Sequence, residues 1–187
     1  MKVEQIPIVL TTDRLDIYPL SLAQLINYVE YPHLVEEELK CQISQDILTE
    51  NVRRAISLKT AKMKNARHDE LLWITYWLSV VRADKFGAGL LGFKGPPDEY
   101  GEVEIGYGID KHYEGLGLTY EANVALLRWA FEEPACKAVY TRKTVKNNLG
   151  SIRIQIKLGM ILFEESEHDV GMKVSRAEFE NLFGKGQ

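Results

Sequence analysis

Between Val103 and Ala122 the chain reads VEIGYGIDKHYEGLGLTYEA, and this stretch restricts the fold more than any other. Val103, Ile105, Tyr107 and Ile109 alternate with Glu104, Gly106 and Gly108. A period of two is that of a strand, here with one bulky face and one nearly bare face. Glycine weakens a strand interior, so a pair on one face predicts a bulge or the close approach of another backbone or a ligand. Gly115 and Gly117 then make a Gly-x-Gly loop, after which Ala122, Ala125, Leu126 and Trp129 fall at helical spacing. Strand, tight loop and helix in direct succession leave the first N–H groups of the helix unpaired at its positive end, a place suited to a phosphate group.

The loop lacks the Lys-Ser/Thr ending of a P-loop and the third glycine of a dinucleotide fingerprint, so neither nucleotide reading fits. On the loop alone, a tight turn without a ligand is the favoured reading. The rest of the chain narrows the choice. At 187 residues it has the length of one domain, spanning 1–187, and 45% hydrophobic with 27% charged residues is the composition of a folded globular protein. A net charge of −4 and the lack of a basic stripe interleaved with aromatics predict no nucleic-acid partner. A mildly acidic surface suits a cationic amine, and equally suits plain solubility. Cys41 and Cys136 have neither metal-site nor disulfide-framework spacing, so no metal is expected. The first residues, MKVEQIPIVL, lack the long apolar core of a signal peptide, and no apolar run approaches the ~20 residues of a membrane span. The expected setting is therefore cytoplasmic, with no membrane partner. Cys136, close after Pro134, reads as a small packed residue, while His112 and His168 read as solvated.

Along the chain, Leu15–Leu20 is a first strand and Ser21 caps a helix over Leu22–Tyr28, after which Pro32 is a break. A longer helix is expected from Ser44, with Leu48, Val52, Ala55, Ile56 and Met63 as its stripe and Arg53, Arg54, Lys59, Lys62 and Lys64 as a solvated face. Leu71–Val81 reads as a strand with Trp73 and Trp77 on one face, followed by a turn over Arg82–Gly87 and a returning strand over Gly89–Lys94. Pro134 stops the central helix, and Ala138–Thr141 is a short strand. Asn147 or Asn148 caps the next helix, which ends at Gly159. Strands over Ile161–Glu165 and Met172–Val174 precede a last helix through Phe183, opened by a Ser175/Glu178 capping box.

Three blocks carry a family resemblance: Leu10-Thr11-Thr12-Asp13-Arg14-Leu15; Glu104-Ile105-Gly106-Tyr107 with Tyr113, Gly115-Leu116-Gly117 and Glu121-Ala122; and Asn148-Leu149-Gly150-Ser151-Ile152-Arg153 with Lys157-Leu158-Gly159. Together they resemble the GNAT superfamily of acetyl-CoA-dependent N-acetyltransferases, in the branch that acetylates ribosomal-protein N-termini. The resemblance implies an α+β fold of three α/β/α layers: a mixed, mostly antiparallel sheet of about six or seven strands flanked by helices. Neighbouring fourth and fifth strands are splayed to admit acetyl-CoA. It also implies direct acetyl transfer to a primary amine, a protein N-terminus or a small-molecule amine, in a ternary complex. The backbone of Tyr107, Gly108 and Ile109 would then align the pantetheine arm and polarise the thioester carbonyl. Gly115, Leu116, Gly117, Leu118 and Thr119 would hold the pyrophosphate, and Asn148 would bind the arm or cap its helix.

Amine acylation needs a proton acceptor. Glu104 is the candidate base, with Glu102 as substitute, and the competing reading is a carboxylate paired across the sheet. Ser151 would hydrogen-bond the departing thiolate, or cap the helix start. The chain departs from the family pattern at Glu114, Thr119 and Tyr120, so a non-catalytic acyl-CoA-binding or regulatory domain is the alternative. A Cys-His hydrolase is a third reading, which requires Cys136 to meet a histidine in a cleft. The acceptor amine is not legible, and the oligomeric state is left as monomer or homodimer.

Overall fold

The alternating run forms the central strand of a mixed sheet in the computed structural model, which describes residues 8–184. The strands are β1 (Leu10–Thr11), β2 (Leu15–Pro19), β3 (Gln42–Ile43), β4 (Trp77–Val81), β5 (Phe86–Phe93), β6 (Glu102–Ile109), β7 (Ala138–Val145), β8 (Ile161–Glu165) and β9 (Asp169–Ser175). The helices are α1 (Leu22–Glu30), α2 (Pro32–Leu39), α3 (Glu50–Met63), α4 (Leu71–Ile74), α5 (Leu118–Glu132), α6 (Leu149–Lys157) and α7 (Arg176–Phe183). Sheet order is β1-β2-β4-β5-β6-β7-β9-β8, with β3 added beside β5. All pairings are antiparallel except β3 with β5 and β6 with β7. The α+β class and mixed, mostly antiparallel sheet are as expected. The described residues hold nine strands rather than six or seven, because β1 and β3 have two residues each, too few to show a period.

Apolar clusters cover both sheet faces in the N-terminal half. Trp77, Leu91, Phe93 and Ile105 pack with Leu126 and Leu127 of α5. Leu78 and Leu90 pack with Leu25 and Tyr28 of α1 and Ile56 of α3. Burial on both faces explains why β4 and β5 read as almost continuous apolar runs without alternation.

Four expectations change. Leu71–Val81 is not one strand: Leu71–Ile74 closes a helical turn and only Trp77–Val81 is extended. A short buried aromatic run fits a helical turn as well as a strand, and the turn drives Trp73 against Trp129 and Phe93, with ring centroids 4.7 and 5.1 Å apart. Pro32 does not break the chain but opens α2, where its missing N–H costs nothing. The helix expected at Ser44 starts at Glu50, capped by Thr49, because Ser44 donates its hydroxyl to Asp110 and its amide to Gly87 O instead. Lys59 is not solvated: its ammonium is buried, donates to the carbonyls of Ile74 and Phe93, and lies 4.5 Å from the Tyr76 ring centroid. The predicted caps Ser21, Asn148 and Ser175 each accept the expected backbone N–H.

Candidate active site

The parallel ladder between β6 and β7 covers only Glu102–Glu104 against Ala138–Tyr140. Beyond it the strands separate, and the cause lies in β7. Its register with β9 shifts between Thr141 and Thr144, and Lys143 there takes a left-handed φ of 59°. Such a bulge bends its strand and increases the local twist. On its other edge β6 remains paired to β5 through Ile109. The edge of Ile105–Ile109 that faces β7 is therefore left without ladder partners.

A cavity of about 730 Å³ occupies this opening. Tyr107, Gly108 and Ile109 line it from β6; Tyr113, Glu114, Gly115, Gly117, Leu118, Thr119 and Tyr120 from the loop and α5; and Asn147 to Ser151 with Arg153, Ile154 and Lys157 from α6. The sequence-predicted residues Tyr107, Gly108, Ile109, Gly115, Gly117, Leu118, Thr119, Asn148 and Ser151 thus meet at one cavity. Leu116 and Glu104 do not line it. Leu116 turns outward and its carbonyl accepts from Arg14 Nη1 at 2.9 Å.

The loop owes its shape to Gly115 and Gly117, whose φ angles of 75° and 78° are strained for residues with a Cβ. It is also tied to the N-terminal strand region. Arg14 grips Glu121 through Nε at 2.7 Å and Nη2 at 2.6 Å, and its backbone N–H donates to the same carboxylate at 2.9 Å. The Thr12 hydroxyl adds a bond of 2.6 Å. Burial alone would push the Glu121 carboxyl up; the Thr12 hydroxyl and the Arg14 amide and guanidinium outweigh it and hold the group below the usual carboxylate range. The sequence motif from Leu10 to Leu15 gave no hint of this clamp, because its partner lies more than 100 residues away in sequence.

Across the opening, Tyr107 Oη lies 2.9 Å from Ser151 Oγ. Gln155 Nε2 is within 3.2 Å of Tyr107 Oη, 3.1 Å of Ser151 Oγ and 2.9 Å of Thr144 Oγ1. Asn148 Oδ1 caps α6 by accepting from Ser151 N at 3.0 Å, and the residue also faces the cavity. Glu104 is ion-paired with Lys94, and Glu102 with Lys173 at 2.8 Å. A Cβ built on Gly106 would meet nothing within 4 Å, so open space adjoins Glu104 along the bare face of β6. Glu114 lines the cavity and makes no ion pair with Lys111 or any other described residue.

Cys136 is fully buried, and burial pushes its thiol up to about 12, against the nearby Arg176. A thiol so buried and so rarely ionised is a poor nucleophile, which removes support for the Cys-His reading. His112 is mostly exposed, as expected, but its ring and backbone N–H meet Asp110 at 2.9 Å. The Ser44 hydroxyl, chiefly, holds Asp110 below the usual carboxylate range against its burial. Asp46 joins Asp110 and His112 to bring three ligand-type atoms within 4.8 Å. Asp110 is already engaged there by Ser44 and His112. No helix among the described residues is long and apolar enough to cross a membrane.

Comparison with known proteins gives a consistent picture. A Bacillus subtilis (strain 168) protein described as the uncharacterized N-acetyltransferase YjdG is 34% identical over 90 residues, 48% of this chain and 53% of that protein; the match therefore spans about half of the relative's length. A ribosomal-protein-S5-alanine acetyltransferase from Vibrio fischeri superposes with a TM-score of 0.64 at 13% identity, covering 92% of this chain and 98% of that one. RimJ from Mycobacterium smegmatis, in complex with CoA-disulfide, superposes with a TM-score of 0.63 at 12% identity, covering 92% and 90%. At such identities these structures share the fold. The acetyltransferase (GNAT) domain model matches residues 14–161, which includes the opened ladder, the glycine loop and α6, and the chain belongs to that family.

Proposed function

We propose that this protein is an acetyl-CoA-dependent N-acetyltransferase that passes an acetyl group directly to a primary amine in a ternary complex. One observation carries the reading: the ladder between β6 and β7 opens into the same cavity that the glycine loop and the start of α5 line. The unpaired edge of β6 offers amide-type hydrogen bonds to a pantetheine arm. Gly115–Thr119 offer backbone N–H groups at a positive helix end to a pyrophosphate. Arg153 and Lys157, one helical turn apart on α6, add cations to the same wall.

In the reaction the amine nitrogen attacks the thioester carbonyl carbon. The C–N bond forms, the C–S bond breaks with its electron pair going to sulfur, and the proton lost by the amine is matched by one gained by the thiolate. The products are an acetamide and CoA. Glu104 stands on the bare face of β6, where the empty space over Gly106 supports approach of an acceptor. Its carboxylate, tethered by Lys94, serves as proton acceptor directly or through water. Ser151 faces the cavity from α6 and donates to the thiolate.

The reading is tested by thermal denaturation with acetyl-CoA, followed by thiol detection with a panel of a peptide N-terminus, an amino acid, a polyamine and an aminoglycoside. Saturation at ~100 times Kd adds about 2.7 kcal/mol, or roughly 5–10 °C for a chain of this size. No shift at millimolar acetyl-CoA would overturn it. A shift with no amine-dependent thiol release favours a non-catalytic acyl-CoA-binding domain, for which the departures at Glu114 and Thr119 speak.

A further inference from the structure

Where the ladder between β6 and β7 ends, side chains take over its bridging role. Tyr107 on β6, Thr144 on β7, and Ser151 and Gln155 on α6 converge on one point, and Gln155 is only 1% exposed. The side-chain nitrogen of Gln155 carries two hydrogens for three oxygens within reach, and donating them to Thr144 and Tyr107 makes those two hydroxyls acceptors. Tyr107 must then send its own hydrogen elsewhere, and Ser151 Oγ at 2.9 Å is its nearest acceptor. A Ser151 oxygen that accepts from Tyr107 has its own hydrogen left over. No other acceptor for it lies within hydrogen-bond distance among the described residues, and Ser151 lines the cavity.

We propose that Gln155 and Tyr107 form a directional hydrogen-bond relay, anchored on Thr144, that turns the Ser151 hydroxyl hydrogen into the cleft toward the departing sulfur. This rests on the role of Ser151 given above. The order is Gln155 N–H to Tyr107 Oη, Tyr107 O–H to Ser151 Oγ, and Ser151 O–H to the thiolate. Each link polarises the next, so the last donor is stronger than a lone serine would be. Tyr107 and Gln155 act through Ser151 and are positioning residues. Burial pushes the Tyr107 phenol up, against its bonds to Ser151 and Gln155, which keeps it protonated and donating at neutral pH. The network pairs the nitrogen of a glutamine at a fully buried position of α6, while its Oε1 has no partner among the described residues.

The test measures CoA thiol release from acetyl-CoA, with hydroxylamine as a small acceptor that needs no shaped pocket and with the fastest amine of the panel. Tyr107→Phe keeps the ring and removes the hydroxyl. It and Ser151→Ala should each lower kcat by roughly 10-fold while KM for acetyl-CoA stays within about two-fold. The double variant should be no slower than Ser151→Ala alone, because both changes cut one chain. Gln155→Glu keeps the shape but replaces donors with acceptors, draws the Tyr107 hydrogen away from Ser151, and should match the Tyr107→Phe loss with Tyr107 still present. If Gln155→Glu does not fold, Gln155→Met removes the donors without a buried charge and should show a smaller loss of kcat at unchanged KM. Wild-type kcat in Tyr107→Phe beside a slow Ser151→Ala would overturn the relay and leave the Ser151 role intact. Wild-type kcat in Ser151→Ala would overturn both. Additive losses in the double variant would likewise refute a shared chain.

Discussion

Cutting the clamp between the N-terminal strand region and α5 should weaken both the fold and the glycine loop. Glu121 receives three hydrogen bonds, from the Thr12 hydroxyl, the Arg14 amide and Arg14 Nε, and an ion-pair contact from Arg14 Nη2. The guanidinium is half exposed while the carboxylate is largely covered, at 50% and 18%. The ion pair therefore contributes at most about 1 kcal/mol. The Thr12 and Arg14 N–H bonds end on a charged acceptor, and losing both leaves donors unpaired at about 1 kcal/mol each. Glu121→Gln, which keeps an oxygen acceptor, should cost about 1 kcal/mol, and Glu121→Ala about 2–3 kcal/mol, in urea unfolding. Since Arg14 also holds the Leu116 carbonyl, acetyl-CoA must then order the loop itself, and its Kd should rise about 5–10-fold, equivalent to about 1–1.4 kcal/mol. The pH dependence has a fixed sign. A carboxyl held below its unfolded value contributes stability above the unfolded value and loses it as pH falls through the folded one. Wild type should thus lose stability more steeply than Glu121→Gln below about pH 4.5. Equal stability and equal acetyl-CoA affinity in Glu121→Ala would show that the contacts are incidental.

Three further outcomes can be measured. Glu104→Gln should lower turnover by roughly 10²-fold with acetyl-CoA affinity unchanged; a wild-type rate would hand the proton to Glu102 or to water. Glu114 lines the cavity with no ion-pair partner among the described residues, so Glu114→Gln should tighten acetyl-CoA binding a few-fold and Glu114→Arg somewhat more. Both gains should shrink with salt, and unchanged titrations at low ionic strength would place the carboxylate away from phosphate. Burial, and then Lys62 and Lys94, pull Lys59 down to about 7, so the fold binds fewer protons than the unfolded chain above that pH and stability should rise with it. Between about pH 7 and 9 the gain in wild type over Lys59→Met should be on the order of 2 kcal/mol, and parallel curves for the two would refute it.

The sequence revealed those features whose cause is local. The alternation of Val103–Ile109, the glycine pair, and the caps at Ser21, Asn148 and Ser175 are each set by neighbours a few residues away, and each forms as read. What could not be read was set across the sheet. Lys59 on a charged helix stripe is indistinguishable in sequence from Lys62, yet it sits over the carbonyls of Ile74 and Phe93. Leu71–Ile74 has strand composition and becomes a helical turn because Trp73 gains Trp129 and Phe93 as neighbours. The opening of the cleft depends on the extra residue in β7 around Lys143, where charge and β-propensity give no sign of a bulge.

The departures from the family loop pattern fall where side chains matter least. Thr119 contributes to the cavity from the first turn of α5, where the groups that would meet a phosphate are backbone N–H donors whose direction follows from φ and ψ. The directions are fixed by the positive φ of Gly115 and Gly117 and by Arg14 holding the Leu116 carbonyl between them. A Cβ at Gly115 would meet no atom within 4 Å, and one at Gly117 would only touch Arg14 Nη2 at 3.6 Å. It is therefore conformation, rather than space, that demands glycine at both positions. The carboxylate of Glu114 alters the field at the mouth of the loop and leaves that conformation untouched. Arg153 and Lys157 on the α6 wall supply positive charge from a separate element, so a carboxylate on the loop need not remove the attraction for an anionic ligand.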